Sequence, residues 1–256
     1  MSLAERLRAG ETLFTSWSAI PDAITAEMLA AAEFDAVTLD MQHGGHHEDS
    51  VLRCLFPIRT KGRHGIVRIP VGRFDMASRA LDFGAEAVIA PMVNSVEDAR
   101  LFAAAMKYPP VGQRSWGPSF AMPRKGTLDQ QAWLESANRD TLAFAMIETR
   151  AALEALDGIL GVPGIDGVFV GPSDFSIAWS GGCTVNPTLE DMMAAIATIV
   201  ERATNAGKLA AIYVVDPGLV GRFAGMGFNL FAVGNEARYM ALGAKALLAD
   251  ARASME

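Results

Sequence analysis

The segment Leu142-Ala-Phe-Ala-Met-Ile-Glu148 is a continuous apolar run that stops on a carboxylate, and Val168-Phe-Val-Gly-Pro-Ser-Asp174 repeats that form further along the chain. A strand covered on both faces reads as an unbroken apolar run, which is what a parallel sheet flanked by helices requires. Working outward, short runs rich in Val, Ile, Leu and Phe recur at 13–16, 36–39, 66–69 and 87–90 before this pair, and at 209–214 and 230–233 after it. With 142–147 and 168–170 they make eight.

Segments with helical periodicity lie between them, at 22–32, 49–59, 74–83, 95–106, 151–160, 189–206, 217–226 and 237–251. Phe83-Gly84, Ala206-Gly207 and Met226-Gly227 close three of these with a residue that takes the left-handed conformation of a helix C-cap. Eight βα units in 256 residues predict one (β/α)8 TIM barrel spanning 1–256, since such a barrel needs roughly 250 residues. One connection, 108–126, is longer than the rest and precedes a short helical stretch at 128–138. Loops of that length in compact domains carry function.

Composition removes several classes. A net charge of −7 with 22 scattered Lys and Arg residues leaves no basic field for a phosphate backbone, so nucleic acid is not an expected partner. Glu5, Arg6, Arg8 and Glu11 interrupt any secretory apolar stretch, and nothing later approaches the roughly 20 apolar residues of a membrane span. The expectation is a soluble cytoplasmic protein without membrane contact. Cys54 and Cys183 stand far apart and outside any C-x-x-C spacing, which argues against a disulfide framework or a zinc site. No glycine-rich nucleotide cradle is present.

In such barrels the chemistry sits where strands end, so polar residues directly after an apolar run are the candidates. They are Trp17, Asp40 with Gln42 and His43, Arg68, Asn94, Glu148, and Ser173 with Asp174. Glu148 and Asp174 end neighbouring strands and supply two hard oxygen ligands suited to Mg²⁺ or Mn²⁺, the remaining positions falling to water or a chelating substrate. The competing reading is that each carboxylate caps the helix after it. Arg68 places an always-charged fork at the mouth, able to receive a carboxylate or a developing enolate oxygen. Alternatively it forms a structural ion pair with Asp40 or Glu148. Three of the four histidines gather at 43–47, with His43 nearest the mouth and suited to proton transfer, while His46 and His47 decorate the loop or cap the next helix. A histidine metal cluster is the rival, but adjacent side chains diverge.

The motifs Leu39-Asp-Met-Gln-His-Gly44, Val67-Arg-Ile-Pro70, Leu81-Asp-Phe-Gly-Ala85, Pro91-Met-Val93, Tyr108-Pro-Pro-Val-Gly-Gln-Arg114, Ile147-Glu-Thr149 and Val170-Gly-Pro-Ser-Asp174 resemble, in order and over nearly the whole chain, the HpcH/HpaI aldolase family. The resemblance implies a class II aldolase that reversibly cleaves 4-hydroxy-2-oxo acids into pyruvate, or a substituted pyruvate such as hydroxypyruvate, and an aldehyde. It implies a divalent metal (Mg²⁺, Mn²⁺ or Co²⁺) on Glu148 and Asp174, and Arg68 stabilising the enolate. His43 would be the acid/base group with Asp82 as its orienting partner, Asp40 would support the loop, and Trp17 would wall the pocket. Ser173 and Asp174 would touch substrate. A homo-oligomer is implied, trimers paired into a hexamer with the C-terminal helix 237–251 exchanged.

Two departures stand out: Gln42 precedes His43 where the family usually has Glu, and Met146 stands where a Gln is usual. The latter puts donor preference in question. A Schiff-base mechanism needs a pocket lysine, and none of Lys61, Lys107, Lys125, Lys208 and Lys245 follows a strand. The alternatives are an acyl-CoA lyase of malyl or citramalyl type, which usually has a longer C-terminal region, and a non-catalytic oxo-acid-binding barrel, which would lack one of Glu148, Asp174, Arg68 and His43.

Overall fold

The computed structural model describes residues 1–255. Eight parallel strands close in sequence order: β1 (Leu13–Ser18), β2 (Ala36–Asp40), β3 (His64–Arg68), β4 (Ala87–Ala90), β5 (Leu142–Ile147), β6 (Gly167–Val170), β7 (Leu209–Val214) and β8 (Leu230–Asn235), with β1 pairing β8 to complete the barrel. The helices are α1 (Leu3–Arg8), α2 (Ala23–Ala31), α3 (Glu48–Thr60), α4 (Asp75–Phe83), α5 (Val96–Met106), α6 (Ala121–Arg124) and α7 (Gln130–Asp140) in the first part of the chain. They continue with α8 (Arg150–Glu154), α9 (Leu156–Leu160), α10 (Pro172–Trp179), α11 (Met193–Asn205), α12 (Val220–Met226) and α13 (Glu236–Ala253). Among the described residues, no helix is long and apolar enough to cross a membrane.

Two apolar layers hold this arrangement. Outward-facing strand residues such as Val37, Val67, Val88, Ala145 and Val170 pack under the helices. Inward-facing ones, among them Ile66, Ile89, Phe144, Met146 and Phe169, fill the barrel, so it is a packed core and not a channel. Leu3, Ala4 and Leu7 of α1 join the inner cluster, which makes α1 a plug. Ser2 caps that helix, and the Leu3 amide donates to Glu86 (2.9 Å), which also holds His64 (3.0 Å). These bonds close the N-terminal face and leave the C-terminal face as the open one.

Four features differ from expectation. Strand β3 begins two residues before the expected 66–69 and ends on Arg68, because Ile69-Pro70 leaves the ladder. The expected helix 151–160 is two short pieces meeting at Ala155. A helix not expected from periodicity, α10, follows β6 directly with Pro172 at its first position, so Asp174 sits in a helical first turn. The expected last helix forms, yet α13 buries only Glu236 and leaves Met240, Leu242, Leu247 and Leu248 exposed. It projects from the barrel instead of covering it.

Phe144 is fully buried in the inner layer. Phe144→Ala is expected to lower the unfolding free energy by about 3–5 kcal/mol, read from denaturant midpoints at unchanged slope. A loss below about 1 kcal/mol would mean that the barrel interior is not packed as described.

Candidate active site

Side chains alternate along a strand, so the inward set fixes which residues emerge at the mouth. Counting on by two from Phe144 and Met146 reaches Glu148, from Ile66 reaches Arg68, and from Ala36 reaches Asp40. The same step from Ala211 reaches Tyr213, and Trp17 is itself the last inward residue of β1. Trp17, Asp40, Arg68, Met146 and Tyr213 line an open cavity of about 340 Å³ at the C-terminal face, together with His43, Phe169, Gly171, Ser173, Asp174 and Asn235, and Glu148 lies just behind the wall at Gly171. A second, narrow cleft of about 40 Å³ lies at the opposite face, where Arg59 pairs with Glu86 and Lys125 with Asp140, so its charges are already spent on structure.

Asp40 is the hub of the mouth. Its Oδ1 accepts Arg68 Nε (2.9 Å) and the amides of Gln42 (3.0 Å) and His43 (3.3 Å), while Oδ2 accepts Arg68 Nη2 (2.6 Å) and Trp17 Nε1 (3.2 Å). Burial works against ionising this carboxyl, but Arg68 outweighs it, with help from Trp17 and Gln42, and holds it below the usual carboxylate range. The ion pair weighed as an alternative for Arg68 therefore exists. It uses only the Nε and Nη2 edge of the guanidinium, which leaves the Nη1 hydrogens without a protein acceptor. Trp17 backs this fork, with the Arg68 guanidinium 4.8 Å from its ring centroid.

Glu148 is buried, and its environment is unusual. Oε1 accepts the Met92 amide (2.8 Å), and to present that amide Met92 takes φ 54°, the left-handed region that non-glycine residues avoid. Oε2 lies where a Cβ on Gly171 would come within 2.4 Å, so only glycine fits there. Burial raises the carboxyl pKa, the Met92 bond opposes this, Asp174 adds repulsion and Arg68 relief, and the net result is about 7. Thr149, not Glu148, caps the following helix, which removes the capping alternative for Glu148. Asp174 is exposed at the rim, in the first turn of α10, with no capping bond from its own side chain recorded for that helix. Asp174 on the cavity rim and the buried Glu148 behind it, close enough that Asp174 raises the cost of ionising Glu148, form an all-oxygen donor pair of the kind a hard divalent cation fits. No group of three or more His, Cys, Asp or Glu occurs among the described residues, so any such ion would complete its shell with water or substrate.

His43 is exposed at the mouth, and Asp40 holds its backbone. The expected His43–Asp82 pairing is not made within the chain. Asp82 is in the last turn of α4, a helix about 13 Å long at ~1.5 Å per residue that runs away from the mouth, and it accepts Arg114 Nη2 (2.7 Å) instead. The Gln113-Arg114 stretch of the long loop thus folds over Asp82, and Gly117 packs directly against the Asp82 carboxylate, where a Cβ would meet Oδ2 at 2.9 Å. His46 is buried away from the cavity and His47 is exposed, so the three histidines form no cluster. Asn94 accepts Thr149 Oγ1 and serves the turn after β5. Lys107 is buried with its pKa lowered by desolvation, but its ammonium is tied to Asp166 (2.7 Å) and to the Asn138 carbonyl (2.8 Å) at the closed face.

Three contributors escaped sequence reading. Tyr213 stands edge-on to Trp17 (5.3 Å between ring centroids) and lines the cavity; the inward parity of β7 would have found it. The Met92 amide and the close approach at Gly171 are backbone features with no side-chain signal. Of the two departures, Met146 lines the cavity wall and brings no hydrogen-bonding group, and Gln42 has its Oε1 buried without a partner.

With this geometry in hand, comparison with known proteins is specific. Residues 13–241 match the family described as HpcH/HpaI aldolase/citrate lyase. The chain is 35% identical to a hydroxypyruvate/pyruvate aldolase of Rhizorhabdus wittichii, covering 95% of this chain and 96% of that protein. It is 33% identical to a 2-keto-3-deoxy-L-rhamnonate aldolase of Salmonella gallinarum over 90% of this chain and 85% of that one. The solved structure of an HpcH/HpaI aldolase from Desulfitobacterium hafniense superposes with a TM-score of 0.88 at 25% identity, covering 97% of this chain and 96% of that chain.

The raised Glu148 pKa has a consequence for stability. A carboxyl whose folded pKa, about 7, exceeds its unfolded value of 4.5 favours the folded state fully below the lower value, and that contribution is lost as pH rises through the upper one. In metal-free protein, Glu148→Gln is therefore expected to raise the unfolding free energy at about pH 8 by on the order of 1–3 kcal/mol, and to change little at about pH 4. Equal stability of the two proteins at both pH values would contradict the buried, destabilised carboxylate.

Proposed function

This chain belongs to the HpcH/HpaI aldolase/citrate lyase family, and from that premise we propose that it is a metal-dependent aldolase that joins pyruvate or hydroxypyruvate to an aldehyde and reverses the reaction. The observation that carries the reading is Glu148, a buried carboxylate fixed by the Met92 amide, beside Asp174 and across the mouth from the Arg68 fork.

Glu148 and Asp174 would hold the divalent cation. When bound, such an ion supplies Lewis acidity to the ketone of a 2-oxo acid and makes its enolate accessible near neutral pH. The rest of the work belongs to the chain's own side chains. Arg68, clamped by Asp40, offers its free Nη1 hydrogens to the anionic end of the oxo acid, and these bonds strengthen as negative charge develops there. In cleavage His43 takes the proton of the 4-hydroxyl, the C3–C4 bond breaks, C4 leaves as an aldehyde carbonyl, and the bonding pair remains on the three-carbon fragment as its enolate. Protonation of that fragment at C3 gives the 2-oxo acid. Addition is the reverse, with His43 returning the proton to the new alkoxide. Trp17, Met146 and Phe169 form an apolar wall that excludes water from the enolate.

Met146 leaves that wall without a hydrogen-bonding group, and Tyr213 and Ser173 are the cavity residues with a hydroxyl to offer a substituted donor. We assign the molecule to a homo-oligomer as well, because α13 exposes Met240, Leu242, Leu247 and Leu248 at 54–73% and a second copy would cover them; the family resemblance implies that this oligomer is a hexamer of paired trimers.

Incubated with pyruvate or hydroxypyruvate and a panel of aldehydes, the protein is expected to form 4-hydroxy-2-oxo acids only with Mg²⁺, Mn²⁺ or Co²⁺ present, to lose activity reversibly on chelation, and to survive borohydride with pyruvate unlabelled. Product formation in chelator, or a borohydride-trapped lysine, would overturn the reading. Arg68→Ala is expected to slow cleavage about 10²–10³-fold. His43→Ala is expected to slow it about 10²–10⁴-fold while metal and pyruvate affinity hold. Wild-type cleavage by His43→Ala would remove His43 as the base. Light scattering is expected to return an oligomer, and a monomer at working concentration would contradict the exchanged helix.

A further inference from the structure

The mouth contains a second set of polar side chains that the reaction does not use. Ser18, His46, Ser50 and Glu236 are all at most 5% exposed and join in one chain of hydrogen bonds. Ser18 Oγ donates to Glu236 Oε1 (2.7 Å), and Glu236 also receives the amides of Ala19 (3.0 Å) and Ile20 (3.3 Å). A serine has one hydroxyl hydrogen, and here it is committed to Glu236. The His46 Nε2, 3.0 Å from Ser18 Oγ, must then carry a proton and donate it. Its Nδ1 lies 3.1 Å from Ser50 Oγ, which accepts the His47 amide (2.9 Å) at the start of α3 and has one hydrogen to share between that Nδ1 and the His47 carbonyl (2.9 Å). Burial, opposed in part by Glu236 and Asp40, holds the ring pKa low, at about 4, in agreement with a neutral imidazole of fixed tautomer.

This is not a nucleophilic triad. Ser18 is inaccessible, and its hydrogen points at the carboxylate, not at the histidine. What the chain does is fasten four segments: the end of β1, the loop 41–47, the start of α3 and the root of α13. The loop carries His43, and it is pinned on both sides. Before His43, Asp40 takes the amides of Gln42 and His43. After it, the Gly45 amide donates to the Ala19 carbonyl (2.8 Å), and His46 bonds Ser18 and Ser50. Gly44 lets the two loops touch, since a Cβ there would meet the Ala19 Cα at 2.9 Å. The His43 side chain itself makes no hydrogen bond among the described residues, so its place is set by these two pins alone.

We propose that His46 is a positioning residue that holds the His43 loop in its working place through Ser18, Ser50 and Glu236. The inference rests on the reading of His43 as the proton-transfer group. Misplacement of a catalytic group by about 1 Å costs up to about 10²-fold, so His46→Ala is expected to lower kcat for cleavage by about 10- to 100-fold. KM for the oxo acid and affinity for Mn²⁺ should stay within about twofold, because neither the Arg68 fork nor Glu148 depends on the chain of bonds. His46→Gln, whose Nε2 can still donate to Ser18, should recover most of the loss.

The deciding experiment measures cleavage by intact protein carrying His43→Ala, His46→Ala, both changes, or His46→Gln. A residue acting only through His43 adds nothing once His43 is gone, so the double variant should match His43→Ala alone. Multiplying losses, an unaffected kcat in His46→Ala, or a loss that lies in KM or Mn²⁺ affinity overturns the proposal while leaving a slow His43→Ala to support the base assignment. A fast His43→Ala overturns both. If His46→Ala does not fold, Ser18→Ala, which removes the acceptor of the Nε2 proton, takes its place in the same comparison with the same outcomes.

Discussion

The bidentate bond between Asp40 and Arg68 is the contact on which the rest of the mouth depends. It joins the last inward residues of β2 and β3, which are register partners, and through the same carboxylate it fixes Trp17 on β1 and the backbone of the His43 loop. A buried ion pair is weak evidence of stability, because desolvation consumes most of the attraction. Its value here lies in direction. Asp40 occupies one edge of the guanidinium and Trp17 its face, which among the described residues leaves the Nη1 edge without a partner and open to a ligand.

Charge is divided across the mouth. On the β2–β3 side stand the paired Arg68 and the His43 loop; on the β5–β6 side stand Glu148 and Asp174. Holding Glu148 there without a cation is unfavourable, and the structure meets that cost with a strained Met92 and a bare Gly171. Local strain of this kind persists where surrounding structure over-determines it, and here it surrounds the one group that most needs a counter-charge. The projecting α13 leaves apolar side chains exposed, and its root, Glu236, is wired into the same loops that carry Trp17 and His43.

Much of this was legible in the residues. The eight apolar runs, the glycine stops and the polar residue after each run led to the barrel and to Trp17, Asp40, Arg68, Glu148 and Asp174, because parallel strands buried on both faces leave an unambiguous signature. Less legible was anything set by geometry between distant segments. Asp82 belonged to a recognisable motif, and within the single chain its place at the far end of α4 pairs it with Arg114, a contact the sequence did not announce. Helix α10 was hidden because Pro172-Ser-Asp174 reads as a turn. His46 looked like loop decoration, since nothing in its neighbours announces Ser18 or Glu236. Tyr213 could have been found by carrying the inward parity of β7 one step further.

The most direct test of the account is the location of Mn²⁺ in the protein with pyruvate bound, read by anomalous scattering. The account predicts one ion within about 2.3 Å of oxygens from both Glu148 and Asp174, with the pyruvate reaching towards the free edge of Arg68 and no ion in Glu148→Gln. An ion bound elsewhere with these carboxylates empty, or catalytically competent pyruvate bound without any ion at this pair, would contradict it.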